Sequence, residues 1–463
     1  MAIRGVYTEE EEKVLSEYRA LIGKTEYAKA ESHIGYYGGI INIVANKDLI
    51  RRYAQVVGDD NPLWVDEEYA KKTRYGHIIA PPFILHCIAI GAGGGREFHV
   101  PVSLGRATYL NLGCNWQFFK PVYAGDSFKV KDVIFNSIED KTRLDGNGPR
   151  QFLTSSDRTY INQNEEVVCI VNRRLMNVIL DQPTNDPKTD WKEFPIPQDF
   201  PEYEYTDEEM DAIERTFNEE EIRGSNPRYW EDVAVGDVLK PVIHGLHNLN
   251  DQMLAYALQG FHLSSRAIRK EAAGNNNWGA VATDFLFQIL NGCLKTTFGT
   301  QMDAMLGHLM TNWMGDDGFL KNFNSQNRTI DPYGDANWCR GKVIRKYIEN
   351  GEHLVDVALW IESIRGWIVT SATATIVLPS KNGTGVKPSS QGDIETNKFQ
   401  VGDRIKIKDR PEWPGKYKLA GSEGSVISLQ EPAGFVMLHI EKTETGVNPG
   451  TTLTFRSDAV EKI

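Results

Sequence analysis

The sequence predicts an α+β protein made of two equivalent halves, each an antiparallel sheet wrapping a central helix, and a small all-β tail. Three observations support this fold class. Several segments alternate apolar and polar residues, as half-buried strands do, and each series of such segments follows a helix-like stretch. The same order of elements recurs later in the chain. The final segment, residues 398–463, alternates in short strands between Gly and Pro turns.

The composition describes a large acidic chain. Its 463 residues, 41% of them hydrophobic, suggest two to four domains and more than one core. The formal net charge of −12 argues against a nucleic-acid partner bound through its phosphates. Five scattered cysteines without a Cys-x-x-Cys pair argue against a disulfide framework or a metal site. Neither a signal peptide nor a membrane-spanning apolar run is recognisable, so we expect a cytoplasmic protein without a membrane partner.

The first half is expected to cover residues 1–180. It begins with a charged amphipathic helix for which Thr8 is the N-cap and acidic residues form the first turn. Residues 46–58 form a second helix-like segment. A buried helix is expected to begin near Pro82, because proline suits the first turn of a helix. Alternating segments then predict an antiparallel sheet at residues 113–119, 127–135, 150–162 and 167–177.

The second half, residues 225–380, repeats this order of elements. Three pairs of identical residues recur in order at similar separations: Tyr53 and Tyr256, Ala80 and Ala282, and Asp126 and Asp335. An acidic, Pro-rich connector at residues 181–224 joins the two halves. A polar linker rich in Gly and Ser, residues 381–397, precedes the tail.

Residues 58–86 carry the most specific motif. The stretch contains Gly58-Asp59-Asp60-Asn61-Pro62 and Ile79-Ala80-Pro81-Pro82. It resembles the MaoC-like acyl dehydratases, which are hotdog-fold relatives of the (R)-specific enoyl-CoA hydratases, and the resemblance extends over residues 40–380. The resemblance implies a double hotdog fold. It also implies an acyl-CoA thioester as substrate, held in a tunnel between the paired hotdogs, with no other cofactor.

The tail resembles a small SH3-like barrel, such as the one in nitrile hydratase β subunits. The resemblance rests on Val-Gly-Asp-Arg-Ile-Lys-Ile-Lys-Asp-Arg-Pro at residues 401–411, followed by a basic and aromatic loop. We interpret the tail as a docking or oligomerisation module. A homo-oligomer or hetero-oligomer formed through the hotdog faces or through this tail is therefore expected.

Hydration of an enoyl thioester requires a base that activates water and an acid that protonates the α-carbon. In the catalytic members of the family the loop reads G-D-x-N-P-x-H, so a neighbouring Asp and His share these tasks. Here Asp59 and Asn61 are retained, but Trp64 occupies the histidine position. Pro81 and Pro82 stand where an A-H-G turn would offer N–H groups to the enolate oxygen. The first half therefore resembles a substrate-binding half.

Three residues are candidates for catalysis: Asp59, His77 and His262. Asp59 is either a catalytic carboxylate or a loop residue that caps the turn before Asn61. His77 lies near the start of the buried helix, where it either replaces the missing imidazole or packs as a structural histidine. His262 lies in the second-half loop at which the family places its dyad.

The candidates for substrate binding are polar and aromatic residues of both halves: Asn61, Trp64, His86, Arg266, Arg269, Thr283 and Asp284. The basic cluster around Arg266 and Arg269 suits CoA phosphates, with a solvated helix face as the alternative. Thr283 and Asp284 lie at the expected start of the second buried helix and retain their N–H groups. An acid there is favourable for the helix itself.

Three functions are compatible with these residues. The first is a hydratase or dehydratase, a carbon–oxygen lyase, that acts on an acyl-CoA with Asp59 and a relocated histidine. The second is an isomerase or thioesterase for the same ligand. The third is a catalytically degenerate double hotdog that binds an acyl-CoA or scaffolds a partner enzyme. We adopt the first. His244 and His247 alternate along a predicted strand and are interpreted as structural.

Overall fold

A computed structural model describes most of the chain, namely residues 2–26, 42–88, 106–144, 146, 148–180, 203–259, 299–329, 331–382, 398–413, 418–430, 434–443, 447 and 451–463. The chain divides into two compact units. The first unit comprises Met1–Val56, His77–Ile196 and Leu249–Gln301. The second unit comprises Val57–Gly76, Pro197–Asn248 and Met302–Ile463. The motif loop, residues 58–66 with Asp59 and Asn61, therefore belongs to the same unit as the second series of strands.

The α-helices of the described ranges are α1 Glu9–Ala20, α2 Lys47–Val57, α3 Glu67–Ala70, α4 Asp207–Asn218, α5 Leu249–Gln259 and α6 Gly299–Met314. The predicted cap of α1 is confirmed. The Thr8 side chain accepts the N–H of Glu11, and the Glu11 carboxylate accepts the N–H of Thr8. In the part of the chain that is described, none of the helices has the length and apolar character to cross a membrane.

The first unit contains the strands β1 Thr25–Glu26, β2 Arg106–Phe118, β3 Phe128–Asp140, β4 Arg150–Asn162 and β5 Val167–Leu180. They pair antiparallel in the order β1-β3-β4-β5-β2. The long antiparallel strands predicted for the first half are thereby confirmed. Leu15 of α1 packs with Phe152 and Ile179 of the sheet. Burial of these side chains fixes α1 on the sheet.

The buried helix that we predicted to begin near Pro82 is not formed within residues 82–88, so this prediction was wrong for that stretch. Phe83 has a left-handed backbone with φ 67°, and a single 3₁₀ segment, Ile84–Cys87, follows before Ile88 becomes extended. Two successive prolines disfavour the α-helical region for the residue before the second one. The Phe83 ring is buried and lies edge-on to Trp116, 5.4 Å away, which offsets the backbone strain.

The second unit contains the strands β6 Val242–His244, β7 Phe319–Asn327, β8 Asn337–Glu349, β9 Glu352–Ser363 and β10 Ile368–Val377. They pair antiparallel in the order β7-β10-β9-β8-β6. This confirms the strands predicted for the second half. Helix α6, which we did not predict, is buried on every side from Met302 to Met314. Such burial is typical of a helix in the interior of a fold.

The tail contains β11 Arg404–Ile407, β12 Glu423–Gln430, β13 Phe435–Lys442, β14 Thr452–Arg456 and β15 Val460–Lys462. These strands form one antiparallel sheet in the order β14-β13-β12-β11-β15. The predicted all-β tail is therefore confirmed.

Aromatic residues attach the tail to the sheet of the second unit. Phe435 lies 6.1 Å from the Trp360 ring and packs in a buried cluster with Ile368. Trp413 donates its indole N–H to the carbonyl oxygen of Ile364 at 3.1 Å. These side chains are buried against their own chain, so any docking surface of the tail must lie on other residues.

A buried carboxylate reinforces this attachment. Only 1% of the Glu362 side chain on β9 is exposed, and it forms ion pairs with Arg410 of the tail and Arg340 of β8. The Arg410 guanidinium also lies over the Trp413 ring, 4.5 Å from its centre. The two guanidinium groups compensate for the loss of water around the carboxylate.

Replacing Arg410 with alanine is expected to destabilise the protein by about 3 kcal/mol, because buried Glu362 would keep, of its two ion-pair partners in the described ranges, Arg340 alone. The same change at Arg404, which is 51% exposed and pairs with Glu441, is expected to cost less than about 1 kcal/mol. Urea unfolding followed by tryptophan fluorescence measures both losses. Equal losses would contradict a special role for the buried pair.

Candidate active site

The motif loop is held by Asp316, a buried carboxylate that follows α6. Asn61 Nδ2 donates to Asp316 Oδ1 at 2.9 Å, and the Tyr69 hydroxyl donates to Oδ2 at 2.6 Å. Asp316 and Asn61 are both buried, and hydrogen bonds to a carboxylate shielded from water are strong. The loop of the first-half motif is thereby fastened to the segment that ends α6.

Two glycines let the backbone approach this carboxylate closely. Gly315 ends α6 with φ +69°, and a Cβ there would lie 3.0 Å from the carbonyl oxygen of Gly224. At Gly224, with φ +52°, a Cβ would lie 2.7 Å from the Tyr69 hydroxyl oxygen. A left-handed residue after a helix turns the chain sharply. The turn lets the Asp316 N–H donate to the Gly224 carbonyl at 2.9 Å.

Asp59 is almost fully buried and uses both carboxylate oxygens. Oδ1 accepts the N–H of Asn61 at 3.2 Å, which is the capping interaction expected of an Asp in this turn. Oδ2 accepts the Thr311 hydroxyl of α6 at 2.7 Å. Thr311 Oγ1 also lies 2.9 Å from the carbonyl oxygen of His308. Capping of the turn therefore leaves the second oxygen of Asp59 directed at α6, close to His308.

His308 is a buried imidazole on α6 with a partner at each ring nitrogen. Nε2 lies 2.8 Å from Glu220 Oε1, which also accepts the Asn312 side-chain amide at 2.9 Å. Nδ1 lies 3.3 Å from Nε2 of His244, the last residue of β6. Within the described ranges, no three His, Cys, Asp or Glu side chains form a group suited to a metal ion.

The charges around His308 favour its cation. Burial opposes that cation, but the hydrogen bond to Glu220 and the charges of Asp59 and Asp60 outweigh it and raise the pKa of His308 above 6.5. The pKa of Glu220 stays below 4.5, because His308 outweighs the burial of the carboxylate. Burial and the neighbouring charges of His308 and His247 hold the pKa of His244 well below 6.5. A neutral ring therefore lies beside one that readily becomes cationic.

Trp64, which stands at the position where the G-D-x-N-P-x-H motif has histidine, is 4% exposed. It ends a 3₁₀ helix, Pro62–Trp64, whose Leu63 N–H is capped by Asn61 Oδ1 at 3.0 Å. Its indole N–H finds no acceptor among the described side chains and backbone. Buried donors normally have a partner. This N–H can therefore donate to an oxygen atom of a ligand.

The structure brings together some of the predicted site residues. Asp59, Asn61 and Trp64 lie in the second unit, whereas His77 and His86 lie in the first. His77 is exposed, and buried His86 lies 4.7 Å edge-on from the Trp116 ring. Five predicted residues lie outside the described part of the chain: His262, Arg266, Arg269, Thr283 and Asp284.

Sequence reasoning missed several residues of this site. His308, Thr311 and Asn312 were not singled out, and His244 was interpreted as structural. One signal was present, because polar residues at positions 308, 311 and 312 share one face of a helical segment, residues 304–314, whose other residues are apolar or glycine. Buried polar groups at helical spacing are costly unless they are paired, and they mark candidate sites.

Comparisons with known sequences match parts of the chain. The family model described as FAS1-like, dehydratase domain region, matches residues 32–171. A UPF0336 protein of Streptomyces avermitilis is 32% identical over 88 residues, covering 19% of this chain and 59% of that protein. A probable enoyl-CoA hydratase alpha subunit of Thermomonospora curvata is 28% identical over 144 residues, covering 28% of this chain and 44% of that protein. The chain thus spans about half the length of these relatives.

A solved structure of a MaoC-like dehydratase is 18% identical to this chain, with a TM-score of 0.51. The match covers 76% of this chain and 100% of that one. At this identity the likeness shows a shared fold. Together with the antiparallel sheet of each unit, it confirms the hotdog part of the predicted fold.

Replacing Asp316 with alanine is expected to lower the free energy of unfolding by about 3 kcal/mol. The change leaves the buried Asn61 amide and the Tyr69 hydroxyl without their acceptor. Urea unfolding measures the loss, and the same substitution at neighbouring, half-buried Asp317 is the control. A loss no larger than that of the control would show that Asp316 does not hold the loop.

Replacing Glu220 with glutamine is expected to destabilise the protein most between about pH 4.5 and pH 6.5. The raised pKa of His308 gives stability that is complete below 6.5 and is lost as the pH rises through the raised value. The lowered pKa of Glu220 gives stability that is present above 4.5 and is lost as the pH falls through the lowered value.

Urea unfolding inside this window and on both sides of it measures the difference between the wild-type protein and the Glu220→Gln variant. Glu221→Gln is the matched control, because this adjacent carboxylate is 61% exposed. A loss that is the same at every pH would refute the ion pair between Glu220 and His308.

Proposed function

We propose that the protein is a hydratase or dehydratase that acts on an acyl-CoA thioester, interconverting an enoyl-CoA and a 3-hydroxyacyl-CoA. One observation carries the proposal. Asp59 of the motif loop meets α6 through the Thr311 hydroxyl, on the same helix as the imidazole of His308. A carboxylate and an imidazole are the acid and base groups that this reaction needs. His308 thus compensates for the histidine that Trp64 replaces.

In the hydration direction, the Asp59 carboxylate takes a proton from water as the water oxygen bonds to the β-carbon. The electron pair of the double bond moves towards the thioester and forms an enolate. The α-carbon then takes a proton from the paired imidazoles of His308 and His244. Transfer of the proton from Asp59 to the imidazoles restores both groups, and dehydration follows the reverse order.

A buried N–H donor would stabilise the enolate oxygen. The Trp64 indole is the candidate donor in this unit, because its N–H has no acceptor within the described ranges. Thr283, Asp284, Arg266 and Arg269 keep their predicted roles in binding the thioester and the CoA phosphates. These roles remain part of the proposal.

The comparisons support the same reaction class. The matched family model is described as a dehydratase domain region, and one relative is described as a probable enoyl-CoA hydratase alpha subunit. Because that relative is described as a subunit, we propose that this protein also forms an oligomer, either homomeric or heteromeric. Cys87, Cys114, Cys169 and Cys339 are buried, and none of these four forms a disulfide, which supports a reducing compartment such as the cytoplasm.

We also propose that the tail has an SH3-like fold. The support is its five short antiparallel strands, in which β11 lies between β12 and β15. The segment 401–411, on which the resemblance rests, includes β11. Fold alone does not assign an activity to this tail.

The proposal is tested by turnover of a panel of enoyl-CoA and 3-hydroxyacyl-CoA thioesters, followed through the absorbance of the conjugated thioester. Asp59→Asn is expected to lower kcat by about 100-fold or more, because the amide cannot take the proton of water. Glu68→Gln is the matched control, since this carboxylate of α3, nine residues further along the chain, is 76% exposed. It is expected to leave kcat unchanged.

The other outcomes separate the alternatives. Binding of the thioesters without turnover would overturn the hydratase proposal in favour of a degenerate binding subunit. Release of free CoA would identify a thioesterase, and movement of the double bond would identify an isomerase. Neither binding nor turnover would leave only a scaffold for a partner enzyme.

A further inference from the structure

We propose that His244, His308 and Glu220 form a proton relay in which His244 is the catalytic residue. In this relay, His308 and Glu220 are positioning residues that act through His244. The proposal rests on the hydratase or dehydratase function and names the group that exchanges a proton with the substrate. The geometry points to this assignment, because the three groups form one chain of short contacts, with distances of 2.8 Å and 3.3 Å.

His308 has no ring nitrogen left for a substrate, because Glu220 occupies its Nε2 and His244 occupies its Nδ1. The Glu220 oxygen is in turn fixed by the Asn312 amide. His244 differs, because it is only half-buried and its contact with His308 uses Nε2. Its Nδ1 is therefore the outer end of the chain of contacts.

The relay moves protons without leaving a charge on His244. In the neutral pair, His308 carries its proton on Nε2, bonded to Glu220, and His244 Nε2–H donates to His308 Nδ1. When His244 Nδ1 accepts a proton, the N–H bond at its Nε2 breaks and a new one forms at His308 Nδ1. His308 then holds both protons and the positive charge, and His244 is neutral with its proton on Nδ1. Donation to the α-carbon is the reverse movement.

The charges around the two rings favour the cation on His308 over the cation on His244. Carboxylates act on His308 from three positions, Glu220, Asp59 and Asp60, so a cation is favoured there. Burial lowers the pKa of His244, and the charges that lower it further are those of the imidazoles of His308 and His247. A cation is therefore disfavoured on the ring at the outer end. A proton that enters at His244 is most stable after it has moved to the inner ring.

The relay makes a prediction that needs no substrate. In a protein whose ten histidines carry ¹⁵N in the ring, His308 is expected to lose one proton as the pH rises through its pKa. His244 is expected to change at the same pH from the Nδ1–H tautomer to the Nε2–H tautomer. Long-range ¹H–¹⁵N correlation spectra recorded across the pH range distinguish these tautomers. Glu220→Gln is expected to move both changes to lower pH by about 1 unit or more.

An unchanged tautomer of His244 throughout the titration of His308 would overturn the relay. So would titration of His244 to a cation at a pH of its own. Both results come from the wild-type protein, so they do not depend on a variant that folds. They also stand if no thioester is turned over, in which case the proposed function fails separately.

With an active substrate, His244→Gln is expected to lower kcat by about 100-fold or more, with less effect on KM. Glu220→Gln is expected to retain more activity than His244→Gln. It is also expected to lower the pH at which kcat changes as the His244–His308 pair loses its proton. His439→Gln, a change at a half-buried histidine of the tail, is the control and is expected to leave kcat unchanged. Full activity of His244→Gln beside active wild-type protein would overturn the relay and leave the proposed function standing.

Discussion

The interactions of the buried Asp316 carboxylate are the constraint on which the candidate site depends. Asn61 and Tyr69 both donate to it, so the motif loop has one position relative to the end of α6. That position places Asp59 against the Thr311 hydroxyl. A buried carboxylate that lacked these donors would carry a large desolvation cost. The same contacts that compensate this cost therefore also define the geometry of the loop.

Helix α6 supplies the rigid side of the site. Thr311 and His308 lie about one turn apart on the same face, so the group that contacts Asp59 and the group that pairs with Glu220 keep a fixed relation. Functional groups on a buried helix are placed more reproducibly than those on a loop. The loop carboxylate, in contrast, is made rigid by its own turn, because Asp59 accepts the N–H of Asn61.

Much of the fold was predictable, because strands and helix caps are encoded by local patterns. Alternation along β4 and the Thr8-x-x-Glu11 box each depend on residues close in sequence. The backbone found near Pro82, where a helix was expected, was not predictable. The left-handed Phe83 is stabilised by a ring contact with Trp116, which comes 33 residues later in the chain. Local preference gave no sign of that tertiary contact.

The tryptophan at position 64, where the motif has histidine, illustrates why the site could be predicted only in part. Asp59 was recognisable from its loop, whereas His308 is some 250 residues away in the chain, in a helix that the sequence analysis did not predict. Acid–base chemistry requires the two groups to be close in space, and adjacency in sequence is only one way to achieve this. In the proposed mechanism, the His244–His308 pair takes the place of the imidazole that is missing where Trp64 occupies the motif position. In that proposal, the property that matters is where the proton of the His244–His308 pair resides, and the contact of Glu220 with His308 is expected to set it.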